Sequence, residues 1–211
     1  MIISKMEVGA LGTDCYIVHC DGSLECAVID PGDNHRRIAA RITELGLELK
    51  AILLTHGHFD HIGAVAELAA GFTGVRIYAG RLEDALLHDP ELNRTCMIHR
   101  PRTVEADVLL DDGQVFTEAG ITFTTIYTPG HTAGSVCYRV GDEVLFSGDT
   151  LFAGSMGRTD LPTGDEATIF RSLAMLRTLP DGMMVYPGHG PKTDIGTEKR
   201  TNPYFQGITQ L

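Results

Sequence analysis

Apolar residues in this chain fall into short runs broken by glycine, proline and charge, and the runs alternate between two periods. In the first third, Ile2–Val8, Cys15–His19 and Cys26–Asp30 read as strands. A helix follows from about Asn34 to Leu45, with Asn34 placed to cap its start and Gly46 to stop it. Lys50–Thr55 reads as a strand, Ile62–Ala70 as a helix, Arg76–Ala79 as a strand and Arg81–His88 as a short helix, while Pro90–Arg102 shows no period. The second half begins again with strands at Asp107–Leu110, Gln114–Phe116, Thr122–Tyr127, Ser135–Val140 and Glu143–Phe146. Gly141-Asp142 suits a tight hairpin between the last two. Asp165–Leu179 carries Ile169, Phe170, Leu173, Leu176 and Leu179 near helical spacing, and Pro180-Asp181-Gly182 ends it. Both halves therefore run strands first, then helix and strand, which predicts an α/β protein.

The chemistry gathers where strands end. Directly after the apolar run Ala51-Ile52-Leu53-Leu54 stands His56-Gly57-His58-Phe59-Asp60-His61, four metal-capable side chains within six residues. Imidazoles and carboxylates are the ligands of zinc, iron and manganese, and a solvated loop has no reason to concentrate them so tightly. The arrangement recurs three times: His131 in Thr128-Pro129-Gly130-His131, Asp149 in Ser147-Gly148-Asp149-Thr150, and His189 in Tyr186-Pro187-Gly188-His189, each after a strand-like run. Alone, a histidine after Pro-Gly is most often structural. Three such sites beside the six-residue cluster reverse that expectation. Strand ends opening into turns are where α/β proteins place their active groups.

Composition narrows the partners. With 211 residues, 43% apolar and 21% charged, the chain can bury a sizeable core in one domain. No apolar run is long enough to span a bilayer, and the N-terminus lacks a basic start followed by an apolar block. The five cysteines, Cys15, Cys20, Cys26, Cys96 and Cys137, are odd in number and form no CxxC pair. All but Cys96 lie in apolar, strand-like stretches, so a reduced, cytoplasmic protein is expected, with Cys96 the one candidate for a reactive thiol. A net charge of −11 argues against nucleic acid as a partner; Arg36-Arg37 and Lys199-Arg200 read as solvated pairs.

The order HGHFDH, His131, Asp149, His189 resembles that of the metallo-β-lactamase superfamily, over about Asp14 to Pro191. The resemblance implies an αββα sandwich: two facing mixed β-sheets, helices on the outer faces, metals at one edge. It implies a first metal held by His56, His58 and His131, a second held by Asp60, His61 and His189, and Asp149 bridging both. Two divalent ions are expected, zinc first, with iron or manganese as alternatives. Asp149 stands where the zinc β-lactamases sharing this block carry cysteine. The stretch from Gly148 to Asp160 and the ending Arg200-Thr201-Asn202-Pro203-Tyr204 are similar to short, glyoxalase-II-like (hydroxyacylglutathione hydrolase-like) enzymes. The family reading makes residues 1–211 a single domain without a C-terminal helical substrate domain.

The function so implied is hydrolysis of a small-molecule thioester, S-lactoylglutathione or a related acyl thioester, by a hydroxide shared between two ions, with Asp60 also accepting a proton. A thiolate leaves readily because thiol pKa values are about 8–9, whereas an amide nitrogen must be protonated as it departs. Lactone and ester hydrolysis is an alternative. So is a persulfide dioxygenase, which would hold one iron on His56, His131 and Asp149. A non-catalytic metal-binding scaffold is the third reading. Several residues keep two readings: Asp30 as a support for the ligands or an acidic turn residue, Thr55 and Thr150 as hydrogen-bond donors beside ligands or ordinary turn residues, Arg158 and Asp160 as pocket lining or a mutual pair, Lys192 as an anion attractor or plain surface, and Tyr204 and Phe205 as a pocket cover or core. Nothing in the sequence sets the oligomeric state.

Overall fold

In the computed structural model, which describes residues 1–208, two six-stranded mixed sheets face each other with helices outside. The first sheet consists of β1 (Ile2–Val8), β2 (Thr13–His19), β3 (Glu25–Ile29), β4 (Glu48–Leu53), β5 (Arg76–Gly80) and β6 (Val108–Leu110), side by side in chain order. Its first three strands are antiparallel and the rest parallel. The second contains β7 (Val115–Glu118), β8 (Ile121–Tyr127), β9 (Val136–Val140), β10 (Val144–Gly148), β13 (Met184–Pro187) and β14 (Thr193–Asp194). A ribbon of β11 (Leu151–Phe152) and β12 (Ser155–Met156) lies between β10 and β13 in sequence. The hairpin between β9 and β10 has a three-residue loop, since Val140 pairs with Val144.

The strands that read as continuously apolar are covered on both faces. In β2, Tyr16 and Val18 point between the sheets and meet Phe123, Tyr138 and Phe146 from the second sheet. Their neighbours Cys15 and Ile17 point the other way, into a core with Ile38 and Ile42 of α1 (His35–Glu44) and Val65 and Leu68 of α3 (Val65–Gly71). On the far side, Leu145 and Val185 pack against Leu173 and Leu176 of α5 (Glu166–Leu176), with Ile195 of α6 (Ile195–Thr201) and Phe205 of α7 (Pro203–Gly207). Burying one such side chain fully contributes about 1.5–3 kcal/mol.

The helix expected over Ile62–Ala70 is instead two pieces, α2 (Phe59–Ile62) and α3. The chain leaves helical pairing at Gly63-Ala64, where Ala64 N donates to Pro31 O at 2.9 Å and Arg102 donates to Gly63 O at 2.9 Å. A Cβ on Gly63 would sit 2.1 Å from Gly32 O, so only glycine permits this approach. The break turns α2 so that it carries Asp60 and His61. The expected Arg81–His88 helix is a 3-10 turn, Arg81–Glu83, followed by α4 (Asp84–Leu87). Tyr204 rests on Phe170 and Phe205 is fully buried, so both pack rather than cover a pocket. Among the described residues no helix is long and apolar enough to cross a membrane.

Candidate metal centre

Every sequence-predicted ligand residue stands beyond the carboxyl end of a strand, at one rim of the sandwich. His56 and His58 follow β4, and α2 turns Asp60 and His61 back over them; His131, Asp149 and His189 follow β8, β10 and β13. Hydrogen bonds lock the two sheets together at this rim. Tyr138 donates its hydroxyl to Leu54 O at 2.8 Å, Val136 N to Thr55 O at 2.8 Å, and Tyr16 its hydroxyl to Pro187 O at 2.6 Å.

All seven side chains converge. The donor atoms of His56, His58 and His131 lie within 4.8 Å of one another, and so do those of Asp60, His61 and His189. His56, His61 and Asp149 form a third such group between them. His58 Nδ1 is 2.9 Å from His131 Nε2. Asp149 reaches both halves: Oδ2 is 3.6 Å from His131 Nε2 and 3.6 Å from His189 Nε2, while Oδ1 is 3.4 Å from His61 Nε2. His189 Nε2 is 3.2 Å from Asp60 Oδ2. His56 Nε2, His58 Nε2, His61 Nε2 and Asp149 Oδ1 are buried without a hydrogen-bond partner. Buried polar atoms seldom go unpaired, and four in one cluster of imidazole and carboxylate donors fit metal ions.

The electrostatics divide the site in two. Burial, reinforced by neighbouring imidazoles, pushes His56 far below the usual histidine range and His58 down to about 3, so both present neutral, lone-pair nitrogens. In the other half burial also opposes charge on His61, but Asp149, Asp60 and Asp30 outweigh it and raise it far above its ordinary value. His189 is raised too, with burial again overcome, by Asp60 and Asp149. Burial disfavours ionisation of Asp60 and Asp149, yet His61 and His189 hold both carboxyls below their normal range. This acid-rich half balances its charge with protons on imidazole, and a cation there would take their place.

The supporting contacts decide several open readings. Asp30, buried and at φ 49°, accepts hydrogen bonds from Thr55 N (2.8 Å) and Thr55 Oγ1 (2.6 Å), and stands 3.0 Å from His61 Nδ1. It orients His61 and is no simple turn residue. His131 Nδ1 is 2.7 Å from Arg158 O, so the backbone of that loop fixes the ring. The Arg158 guanidinium pairs twice with Asp160, at 2.7 Å each, and Arg158 also lines the cavity beside the site, so both readings hold for it. Thr150 bonds Thr128 at 2.8 Å, away from the ligands, and the Lys192 ammonium lies 6.0 Å over the Tyr186 ring. Beside Glu91 and other acids, the Cys96 thiol is raised, which makes it less reactive.

Two supports were not expected. Thr13 donates to Asp60 Oδ2 at 2.9 Å, from the start of β2. Glu83 is buried and accepts from Gly57 N (2.8 Å), Thr132 Oγ1 (2.9 Å) and Gly134 N (3.0 Å), tying the His56–His61 loop to the His131 loop. A single glutamate in a short amphipathic stretch gives no sequence signal for this. Gly188 allows a close approach to a ligand: a Cβ there would fall 2.2 Å from Asp149 Oδ1.

Above the cluster opens a cavity of about 560 Å³. Its floor is Asp60, His131, Asp149 and His189, and its walls are largely apolar, with Leu11, Phe59, Met97, Phe152 and Leu161.

A family model of the metallo-beta-lactamase superfamily matches residues 8–189. The chain belongs to this superfamily. It is 38% identical over 209 residues to a probable metallo-hydrolase, YqgX, of Bacillus subtilis (strain 168), covering 97% of this chain and 98% of the relative. It is 37% identical over 213 residues to the hydroxyacylglutathione hydrolase GloC of Haemophilus influenzae, with the same coverage. Among solved structures it is similar to the BLEG-1 B3 metallo-beta-lactamase (38% identity, TM-score 0.92, covering 98% of this chain and 100% of that one). It is also similar to TTHA1623 in a di-iron-bound form (37%, TM-score 0.84, 95% and 99%) and to ETHE1 from Myxococcus xanthus (29%, TM-score 0.79, 100% and 90%). The two facing mixed sheets are those of the superfamily, and its fold binds metal ions.

If Asp30 fixes His61 for a metal, Asp30→Asn should weaken metal binding by about 10–100-fold, the range for a lost ligand-orienting partner. Titration against a competing chelator measures this, and unchanged affinity would show that His61 needs no such support.

Proposed function

We propose that this chain is a metal-dependent hydrolase that cleaves an acyl thioester at a two-metal centre. The observation that carries this reading is the pair of donor groups, His56–His58–His131 and Asp60–His61–His189, with the two oxygens of Asp149 between them. Bound there, two divalent ions, zinc first, would polarise a carbonyl and make hydroxide available at neutral pH. Iron and manganese suit the same donors.

The residues then divide the work. Thr13 and His189 both hold Asp60 Oδ2, fixing an ionised carboxylate at the floor of the cavity. Asp60 would hold the second ion and, from the same position, would orient the attacking water and accept its proton. Asp30 keeps His61 in its rotamer, and Arg158 O keeps His131 in its tautomer. Phe59, Phe152, Met97 and Leu161 shield the acyl group from bulk water. Among the described residues, the cavity lining includes no lysine, tyrosine or cysteine that could protonate a departing nitrogen. A thiolate needs no such acid, which favours thioesters over amides.

The test is metal content per chain on protein purified without added metal, with hydrolysis of S-lactoylglutathione, a simple lactone and a β-lactam assayed on the same sample. About two metals with thioester turnover exceeding the other two is the expected result. The likeness to ETHE1 supports a second reading, an oxygen-dependent persulfide dioxygenase with one iron on His56, His131 and Asp149. One iron, no hydrolysis, and oxygen uptake with glutathione persulfide would replace the hydrolase reading by that one.

A further inference from the structure

Arg36 and Arg37, on the first turn of α1, read from sequence as a solvated pair. The fold brings them to Arg100 and Arg102, at the end of the Pro90–Arg102 segment, around one cleft of about 520 Å³. Four arginines there face two carboxylates, Asp33 and Glu67. Arg102 pairs with Glu67 at 2.7 Å, and Arg37 donates to Glu7 O at 2.8 Å. Among the described residues the guanidinium groups of Arg36 and Arg100 have no hydrogen-bond or ion-pair partner. In a chain of net charge −11, a basic cleft with two unpaired guanidinium groups is a local reversal of the field.

The cleft adjoins the metal centre. A narrow cavity of about 130 Å³ lies between them. It shares Leu11, Phe59 and Asp60 with the metal cavity, and Asp33, Gly63, Arg100 and Arg102 with the basic cleft. Gly9, Ala10, Gly32, Thr95 and Ile98 complete its wall. One trough thus leads from the metal ligands, through a thin slot, to the arginines.

We propose that the trough binds the thiol half of the substrate, and that this half is a phosphate-bearing carrier of the coenzyme A class. The proposal rests on the thioesterase reading. Such a carrier separates its sulfur from its phosphates by a long arm, branched only near the phosphate end, so the sulfur can stand at the metal ligands while the phosphates stand at the arginines. Glutathione carries its sulfur on the central residue of a tripeptide, so its chain branches within two bonds of the sulfur. Its two carboxylates are offset by one ammonium, so it presents the arginines with less negative charge than a carrier bearing several phosphates. Guanidinium forks match phosphate oxygens in charge and geometry. The acyl group then lies on the other side of the metals, against Phe152, Met156 and Leu161. In the reaction, water oxygen bonds to the acyl carbon and the carbon–sulfur bond breaks with its electron pair on sulfur. A carboxylate and the free thiol result, with one proton released.

Two readouts on the metal-loaded enzyme test this. The first is calorimetric binding of 3′-phospho-ADP, the phosphate end of the carrier without its thiol. The second is the ratio of kcat/KM for acetyl-coenzyme A to that for acetyl-pantetheine, which lacks the phosphates. In the double variant Arg36→Ala/Arg100→Ala, Kd for 3′-phospho-ADP should rise at least tenfold and the ratio should fall at least tenfold. Arg36→Lys/Arg100→Lys should recover part of both, and circular dichroism and metal content check that the variants are folded. Wild-type binding that the arginines do not affect, or a ratio near one, would overturn the proposal. Cleavage of S-lactoylglutathione with no binding of 3′-phospho-ADP would also overturn it while leaving the thioesterase reading intact. Arginine-dependent binding with no thioester cleaved would instead refute the thioesterase reading and leave the phosphate cleft standing.

Discussion

Replacing Asp149 with alanine is expected to strip the protein of metal and activity together. Asp149 contributes two oxygens to two different groups of imidazoles, and its Oδ1 is one of the buried atoms without a partner. Removal leaves His61, His131 and His189 facing one another without the carboxylate that offsets their charge on metal binding or protonation. Both halves are then damaged by one substitution. Turnover should fall by on the order of 10³ or more, the scale on which lost electrostatic stabilisers act. Metal content should fall well below that of the parent. Asp149→Asn sharpens the test, because it keeps the shape and removes the charge. Normal turnover with an intact metal load in either variant would sink the two-metal reading.

The parts of this site legible in the sequence are those whose signal is local. His56, His58, Asp60 and His61 announce themselves by density, and His131, Asp149 and His189 by their place after strand-like runs. The sheets were legible for a similar reason: strands covered on both faces read as apolar runs. What the sequence hid depends on contacts between distant segments. Asp30 kept two readings until the 3.0 Å approach to His61 decided between them. The break at Gly63-Ala64 is a tertiary event, since the bonds that divert the backbone come from Pro31 and Arg102. The arginine cleft joins pairs that are unremarkable alone. The C-terminal helices α6 and α7 did have signals, an Asp194 cap bonded to Thr197 N and an Asn202 cap followed by Pro203. They are too short for apolar periodicity to stand out, and only the capping pattern would have found them.

Glu83→Ala should carry a large stability cost although Glu83 is not among the ligands. Its carboxylate is the only link that accepts bonds from both the Gly57 amide and the Gly134 amide, and removal orphans two buried N–H groups. Thr132 keeps a partner in Ser135 at 2.6 Å. Each orphaned donor costs about 1–3 kcal/mol, so a loss of roughly 2–6 kcal/mol is expected. For a domain of this size that lowers Tm by on the order of 10 °C. The effect should vary with pH. Burial raises the Glu83 carboxyl to about 7, against three donated hydrogen bonds that favour its ionised form. Between the ordinary glutamate value of 4.5 and 7 the native state therefore binds the proton that the unfolded chain has released. The stability Glu83 contributes is full below this window and declines as pH rises through it, by up to about 1.4 kcal/mol per unit. The Tm gap between parent and variant, measured on metal-free protein, should accordingly be wider at pH 5 than at pH 8. Metal affinity should fall as well, because the His56–His58 loop and the His131 loop lose their common anchor. A variant that melts with the parent at both pH values would show that the two loops are held without Glu83, by the sheet contacts at the rim alone.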